Sequence, residues 1–280
     1  MATSEAAAAG APRARRGTPA APLLAYVLHR WDWSETSLIV ELFTREQGRL
    51  VVAAKGAKRP TSQLRPVLLP FQPLHAALGK APADEAAEVF NLRGAEWVGG
   101  APLLPAAALL AGWYLNELLM KLLARQDPHP ALFDAYADAL AALAQAMAGD
   151  AGAEAAALRA FELQLLRETG SLPDLGHETL TLAPLRDDAR YALRAEAGLA
   201  PARRDGIAGA AWRAIEAALV HGSGDALRAA CTLAPAELPA LRSMLRECLH
   251  YHLGHDQLRT RRVWQGVQRL AAGAPEVPAK

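Results

Sequence analysis

The stretch that decides the fold runs from Ser37 to Ala54. Ser37-Leu38-Ile39-Val40-Glu41-Leu42-Phe43 is one apolar, β-branched run, and Arg49-Leu50-Val51-Val52-Ala53-Ala54 is a second. Between them lies Thr44-Arg45-Glu46-Gln47-Gly48, a hairpin loop with glycine where a positive φ is tolerated. Working outward, Leu24–His29 is another short apolar run. Val67–Leu78 holds Pro70 and Pro73, which marks an edge strand, a bent strand or two pieces, because proline withdraws a ladder donor. Glu88–Leu92 closes the set. Four or five short strands in about seventy residues predict a small barrel or sandwich.

Beyond Ala101 the periodicity changes from two to about 3.6. Leu103–Ala124, Ala131–Ala148, Glu154–Thr169, Ile207–Val220, Ala236–His252 and Gln257–Leu270 read as helices, with apolar residues three and four apart. Residues 171–206 are rich in Pro, Gly and Asp and show no clear period. The expected organisation is α+β: a tail over 1–21, a β-barrel domain over 22–100, a helical domain over 101–271 and a second tail over 272–280. The run Leu103–Leu123 is long enough to span a membrane. Asn116, Glu117 and Lys121 interrupt it, so a buried helix is the expectation.

The chain of 280 residues carries a net charge of only +1. The two parts differ. Residues 1–80 carry +6 and residues 81–280 carry −5, which predicts an N-terminal unit that meets a polyanion. Two cysteines are too few for a disulfide framework and fit a reducing compartment. Arg13, Arg15 and Arg16 are not followed by the apolar core of a signal peptide, so a cytoplasmic location is expected.

Arg45, Arg49, Lys55, Lys58, Arg59 and Arg65 fall within 21 residues, against the single acid Glu46. Such a segment neutralises phosphates with counterion release, and Trp31, Trp33 and Phe71 are at hand to stack on bases. The competing reading is a solvated basic loop. A second cluster combines Arg242, Arg246, Arg259 and Arg262 with Leu241, Leu245, Leu249 and Leu253 at four-residue spacing. It reads either as a basic rim around an apolar pocket for an acidic peptide, or as core leucines with solvated arginines. Cys248, His252 and His255 are spaced like metal ligands, but one helix rarely supplies a whole shell, and no metal is expected. There is no phosphate-binding glycine loop, dinucleotide fingerprint, metalloprotease motif or nucleophile elbow. No catalytic residue is assigned and no enzymatic activity is expected.

Tyr26-Val27-Leu28, Ser34-Glu35-Thr36-Ser37, Phe43-Thr44-Arg45-Glu46-x-Gly48-Arg49, Ala54-Lys55-Gly56-Ala57-Lys58-Arg59 and Pro70-Phe71 together resemble the N-terminal signature of the bacterial recombination mediator RecO family. Tyr114–Leu119 followed by Asp127-Pro128-His129-Pro130, then Leu158-Arg159-x-Phe161-Glu162, then Leu253-Gly254 with Leu258-Arg259-Thr260-Arg261, resemble its later blocks. The resemblance implies an N-terminal OB-fold and a C-terminal helical domain. It implies binding of single- and double-stranded DNA, strand annealing, and contact with RecR and with the acidic tail of the single-stranded-DNA-binding protein, so that RecA is loaded. On that pattern Arg45, Arg49, Lys55, Lys58 and Arg59 are the DNA candidates, and Arg65 joins them by charge. Many members carry a four-cysteine zinc site after the third helical block. Residues 170–201 hold no cysteine here, so no cofactor is expected. A different class, an OB-type RNA-binding adaptor with a helical interaction domain, is the alternative.

Overall fold

The computed structural model describes residues 21–79, 88–146, 150–203, 205–254 and 258–271, the side chains of 268, 270 and 271 excepted. Five strands close a barrel: β1 (Leu23–Asp32), β2 (Leu38–Thr44), β3 (Gly48–Ala54), β4 (Leu74–Leu78) and β5 (Val89–Trp97). Their order is β1-β2-β3-β5-β4, and β1 pairs with β4 to complete the ring. β3 and β5 run parallel, the other neighbours antiparallel. This is the OB-fold topology. Of the proline-bearing segment Val67–Leu78, only β4 is strand, with Pro70 making an isolated bridge to Val27; a helical turn α1 (Leu64–Val67), not read from the sequence, precedes it.

The barrel interior is filled by Ala25, Val27, Val40, Leu42, Leu50, Val52, Leu68, Leu74 and Leu92. Strand alternation sends Tyr26 and Phe43 to the outer face, where they enter the core of the helical domain. There Tyr26 and Phe43 meet Phe133 at ring distances of 5.3 and 5.4 Å, and Tyr26 meets Tyr136 edge-on at 5.0 Å. Such pairs each add about 0.5–1.5 kcal/mol beyond area burial. Asn116 serves both sides: its Nδ2 donates to the Leu28 carbonyl (2.9 Å), and its Oδ1 accepts from the Tyr136 hydroxyl (2.5 Å).

The C-terminal domain holds α2 (Leu109–Leu122), α3 (Pro130–Gln145), α4 (Ala151–Glu168), α5 (Gly209–His221), α6 (Gly224–Ala230), α7 (Leu238–Leu253) and α8 (Arg259–Ala271). The first helix begins at Leu109 and not at Leu103, after Pro105 and a 3-10 turn. α6 had no counterpart in the periodicity. The aperiodic stretch contains a small sheet within the helical domain, β6 (Arg190–Arg194), β7 (Gly198–Pro201) and β8 (Ile207–Ala208), ordered β7-β6-β8. Tyr191, Leu193, Leu199 and Ile207 pin it to the core, and the buried Trp212 donates from its ring nitrogen to the Tyr191 carbonyl (3.0 Å). Among the described residues no helix is long and apolar enough to cross a membrane. The tails expected at 1–21 and 272–280 lie, but for Ala21, outside the described residues.

Gly48 marks where the two domains meet. Its φ is +66°, and a Cβ built there would lie 2.0 Å from the Asp127 carbonyl oxygen in the α2–α3 loop. Gly48→Ala is therefore expected to cost about 2–3 kcal/mol, from left-handed strain and forced separation together. A lower urea midpoint at unchanged slope checks this; an unchanged midpoint contradicts it.

Candidate nucleic-acid interface

The six N-terminal cations separate into two groups. Arg45 and Arg49 lie at the domain junction. Arg45 makes a two-pronged ion pair with Asp134 of α3, at 2.9 and 2.8 Å. Arg49 is only 9% exposed. Its Nη1 donates to the Met120 carbonyl (2.6 Å) and lies 3.3 Å from Glu41. Glu41 is fully buried and also meets Arg125 (3.4 Å), which in turn pairs with Glu88 (2.7 Å). Burial, opposed by Glu41, lowers the Arg49 pKa from its ordinary value. Both arginines are engaged by groups of the protein itself, and the motif that runs from Phe43 to Arg49 clasps the domains together.

Lys55, Lys58 and Arg59 follow β3 at the end of the β2–β3 hairpin opposite its turn, and Arg65 lies on α1. Gly56 opens the β3–α1 loop with φ +72°. This loop is tied to the β1–β2 loop: the Lys58 amide donates to the Thr36 carbonyl (2.9 Å), and the Gly56 amide donates to the Ser37 hydroxyl (3.3 Å). Within the β1–β2 loop the Ser37 amide donates to the Ser34 hydroxyl (3.2 Å), so Ser34–Ser37 is turn chemistry. Lys58 Nζ reaches the Ser34 carbonyl (3.1 Å) and Asp32 (3.2 Å). Lys55, Arg59 and Arg65 are exposed. Trp33 is 56% exposed on the same pair of loops, and Trp31 is 39% exposed on β1. Phe71 is buried, with φ +67°, and packs edge-on to Trp113 at 5.0 Å. It does not join the surface.

The second cluster also divides. Leu241, Leu245 and Leu249 of α7 are buried in the core, and Leu253 packs partly against it. Four-residue spacing is the signature of any core-facing helix stripe, and of the two readings, pocket or core, these leucines are core. Arg242 and Arg246 are exposed, with the Arg242 guanidinium 5.8 Å above the Trp264 ring. Among the described side chains of α8, Val263, Trp264 and Val267 are large, apolar and exposed. Arg259 and Arg262 lie on α8 and are exposed.

Cys248 is buried in the core while His252 is exposed, so the two do not converge; His255 lies outside the described residues. Among the described residues no group of three His, Cys, Asp or Glu side chains is placed to hold a metal. Burial raises the Cys231 thiol to about 12 and the Cys248 thiol to about 11, which makes both poor nucleophiles at neutral pH.

An OB barrel with two clamped loops bearing cations and exposed tryptophans, fused to a helical domain, defines a class of two-domain OB-fold proteins. The family model described as Recombination protein O N terminal matches residues 23–99, and Recombination protein O C terminal matches residues 106–262. DNA repair protein RecO of Variovorax paradoxus is 51% identical over 251 residues, spanning 88% of this chain and 96% of its own. That of Paracidovorax citrulli is 52% identical over 254 residues, with the same coverage. The chain belongs to the RecO family of DNA repair proteins.

Proposed function

We propose that this chain is a recombination mediator that binds and anneals single-stranded DNA, engages duplex DNA, and helps load RecA onto DNA coated with single-strand-binding protein. The observation that carries the reading is the pair of clamped barrel loops: the loop that bears Lys55, Lys58 and Arg59 is hydrogen-bonded to the loop that bears the exposed Trp33, and Arg65 is exposed on α1, which follows. Cations on such a groove follow the phosphates, and an aromatic face accepts any base. Arg45 and Arg49 drop out of the contact set because Asp134, Glu41 and the Met120 carbonyl occupy them. Arg242, over the Trp264 ring, and Arg246, one turn further along α7, are the rim we assign to the acidic tail of the single-strand-binding protein. RecR is the remaining direct partner. The protein acts without a cofactor, in the cytoplasm, at the nucleoid.

The test is strand annealing on DNA coated with the cognate single-strand-binding protein. Wild type should accelerate it. Trp33→Ala should weaken single-stranded DNA binding roughly 5- to 150-fold, the range for one lost base stack. Wild-type speed and affinity in a folded Trp33→Ala protein would refute the assignment. RNA of the same sequence should compete no better than DNA. A strong RNA preference dependent on the 2′-hydroxyl would favour the RNA-adaptor reading.

A further inference from the structure

The outer face of β1 leads from the barrel loops to the helical domain. A bulge between Val27 and His29 shifts the alternation, so that Arg30 pairs with the inward-facing Val40 and its Nη1 donates to the Leu68 carbonyl (2.8 Å). His29 and Trp31 therefore face outward, with their rings 4.5 Å apart and tilted by 66°. From His29 to Trp33 the strand and its extension cover about 13 Å.

At the His29 end the track meets α8. Asn116 holds the Leu28 carbonyl, and the next residue, Glu117, caps α8: its carboxylate accepts from the amides of Arg259 (2.7 Å) and Thr260 (2.9 Å) and from the Thr260 hydroxyl (2.6 Å). The cap uses the Arg259 backbone, so its guanidinium remains available. Arg262 lies one turn further along, also exposed. Burial first, then the Arg259 charge, lowers the His29 imidazole from its ordinary pKa, against a pull from Glu41 and with a contribution from Arg30. A neutral ring stacks without desolvating a charge. Of the acids near this path, Glu41 is buried with Arg49 and Arg125, Asp32 pairs with Lys58 and Glu117 is spent on the cap, while Glu35 is exposed on the β1–β2 loop.

We propose that the exposed face of β1 and the first turns of α8 form one single-stranded-DNA track continuous with the barrel loops, with His29 and Trp31 stacking on bases and Arg259 and Arg262 on phosphates. The proposal rests on the reading of the barrel loops given above. It removes Arg259 and Arg262 from the rim for an acidic peptide and leaves that rim to Arg242 and Arg246. The chemistry is that of a sequence-tolerant track, since neither stacking nor phosphate contact reads base edges.

The test compares Arg259→Gln/Arg262→Gln and Trp31→Ala with wild type on a dT oligonucleotide of about 20 nucleotides, longer than a typical OB footprint. Glutamine keeps the side-chain length, and the Glu117 cap is untouched. The double variant should lower the slope of log affinity against log salt by roughly 1.4, or roughly 25-fold at about 0.1 M salt. Trp31→Ala should bind roughly 5-fold or more weakly. Binding of an aspartate-rich peptide with a C-terminal phenylalanine should be unchanged in both. Wild-type slope and affinity in both folded variants would overturn the track. Lost peptide binding with intact DNA binding would return Arg259 and Arg262 to the peptide. Running Lys55→Glu/Arg59→Glu alongside separates the failures: normal DNA binding in that variant sinks the barrel-loop reading, whatever α8 does.

Discussion

Glu41→Leu is expected to destabilise the protein by about 3–5 kcal/mol, the usual consequence of leaving a buried charge without its partner. Glu41 is fully buried on β2, and the charge it neutralises belongs to Arg49, itself nearly buried and with its Nε–H lacking any acceptor. With Glu41 gone, the Arg49 guanidinium keeps only the Met120 carbonyl and the weak Met120 thioether acceptor. Arg125 suffers less, because Glu88 still holds it at 2.7 Å. The double change Glu41→Leu/Arg49→Met should recover more than half of the loss, since replacing a whole buried pair by apolar groups is often close to neutral. Denaturant unfolding of the two single variants and the double variant closes the cycle. A Glu41→Leu protein as stable as wild type would show that the clasp contributes little. The same cluster joins β2 and β3 to the end of α2, so the two domains should unfold in one transition.

The barrel was legible because its signals are local. The Thr44–Gly48 loop between two apolar runs, and the prolines before β4, act over a few residues; α1, a single turn of four residues, left no such signal. The helices of the second domain were legible from apolar spacing, except α6, whose seven residues are too few to show a period. The small sheet was not, because β6, β7 and β8 are short and are held by Trp212 and Met244, distant in sequence. Charge was legible and its use was not. Arg49 and Lys55 look alike in the sequence, yet Arg49 is spent on groups supplied by a strand and a helix 71 residues away. The leucines of α7 stayed open between pocket and core for the same reason: spacing identifies a shared face and cannot say whether that face is filled by its own chain. The pattern His29-x-Trp31-x-Trp33 could have been read as one face of an extended strand, had the bulge before His29 been visible.

Lys55→Glu/Arg59→Glu/Arg65→Glu is expected to cost the largest loss of DNA binding. All three side chains are exposed, and among the described residues none enters an ion pair, so charge reversal removes phosphate contacts without unpairing anything. Lys58 is left alone because it clamps the two loops through Ser34 and Asp32. Each contact with a single strand contributes roughly 0.7 to the salt slope, so three lost contacts amount to about two decades of affinity at about 0.1 M salt, before any repulsion from the new carboxylates. Annealing of complementary strands should fall with it, while the unfolding free energy stays within about 0.5 kcal/mol of wild type.

The slope itself is the most direct test. Binding of a dT oligonucleotide measured across a salt series, for wild type and this triple variant, should give lines whose slopes differ by about 2. Parallel lines from two folded proteins would mean that the barrel loops do not hold the DNA.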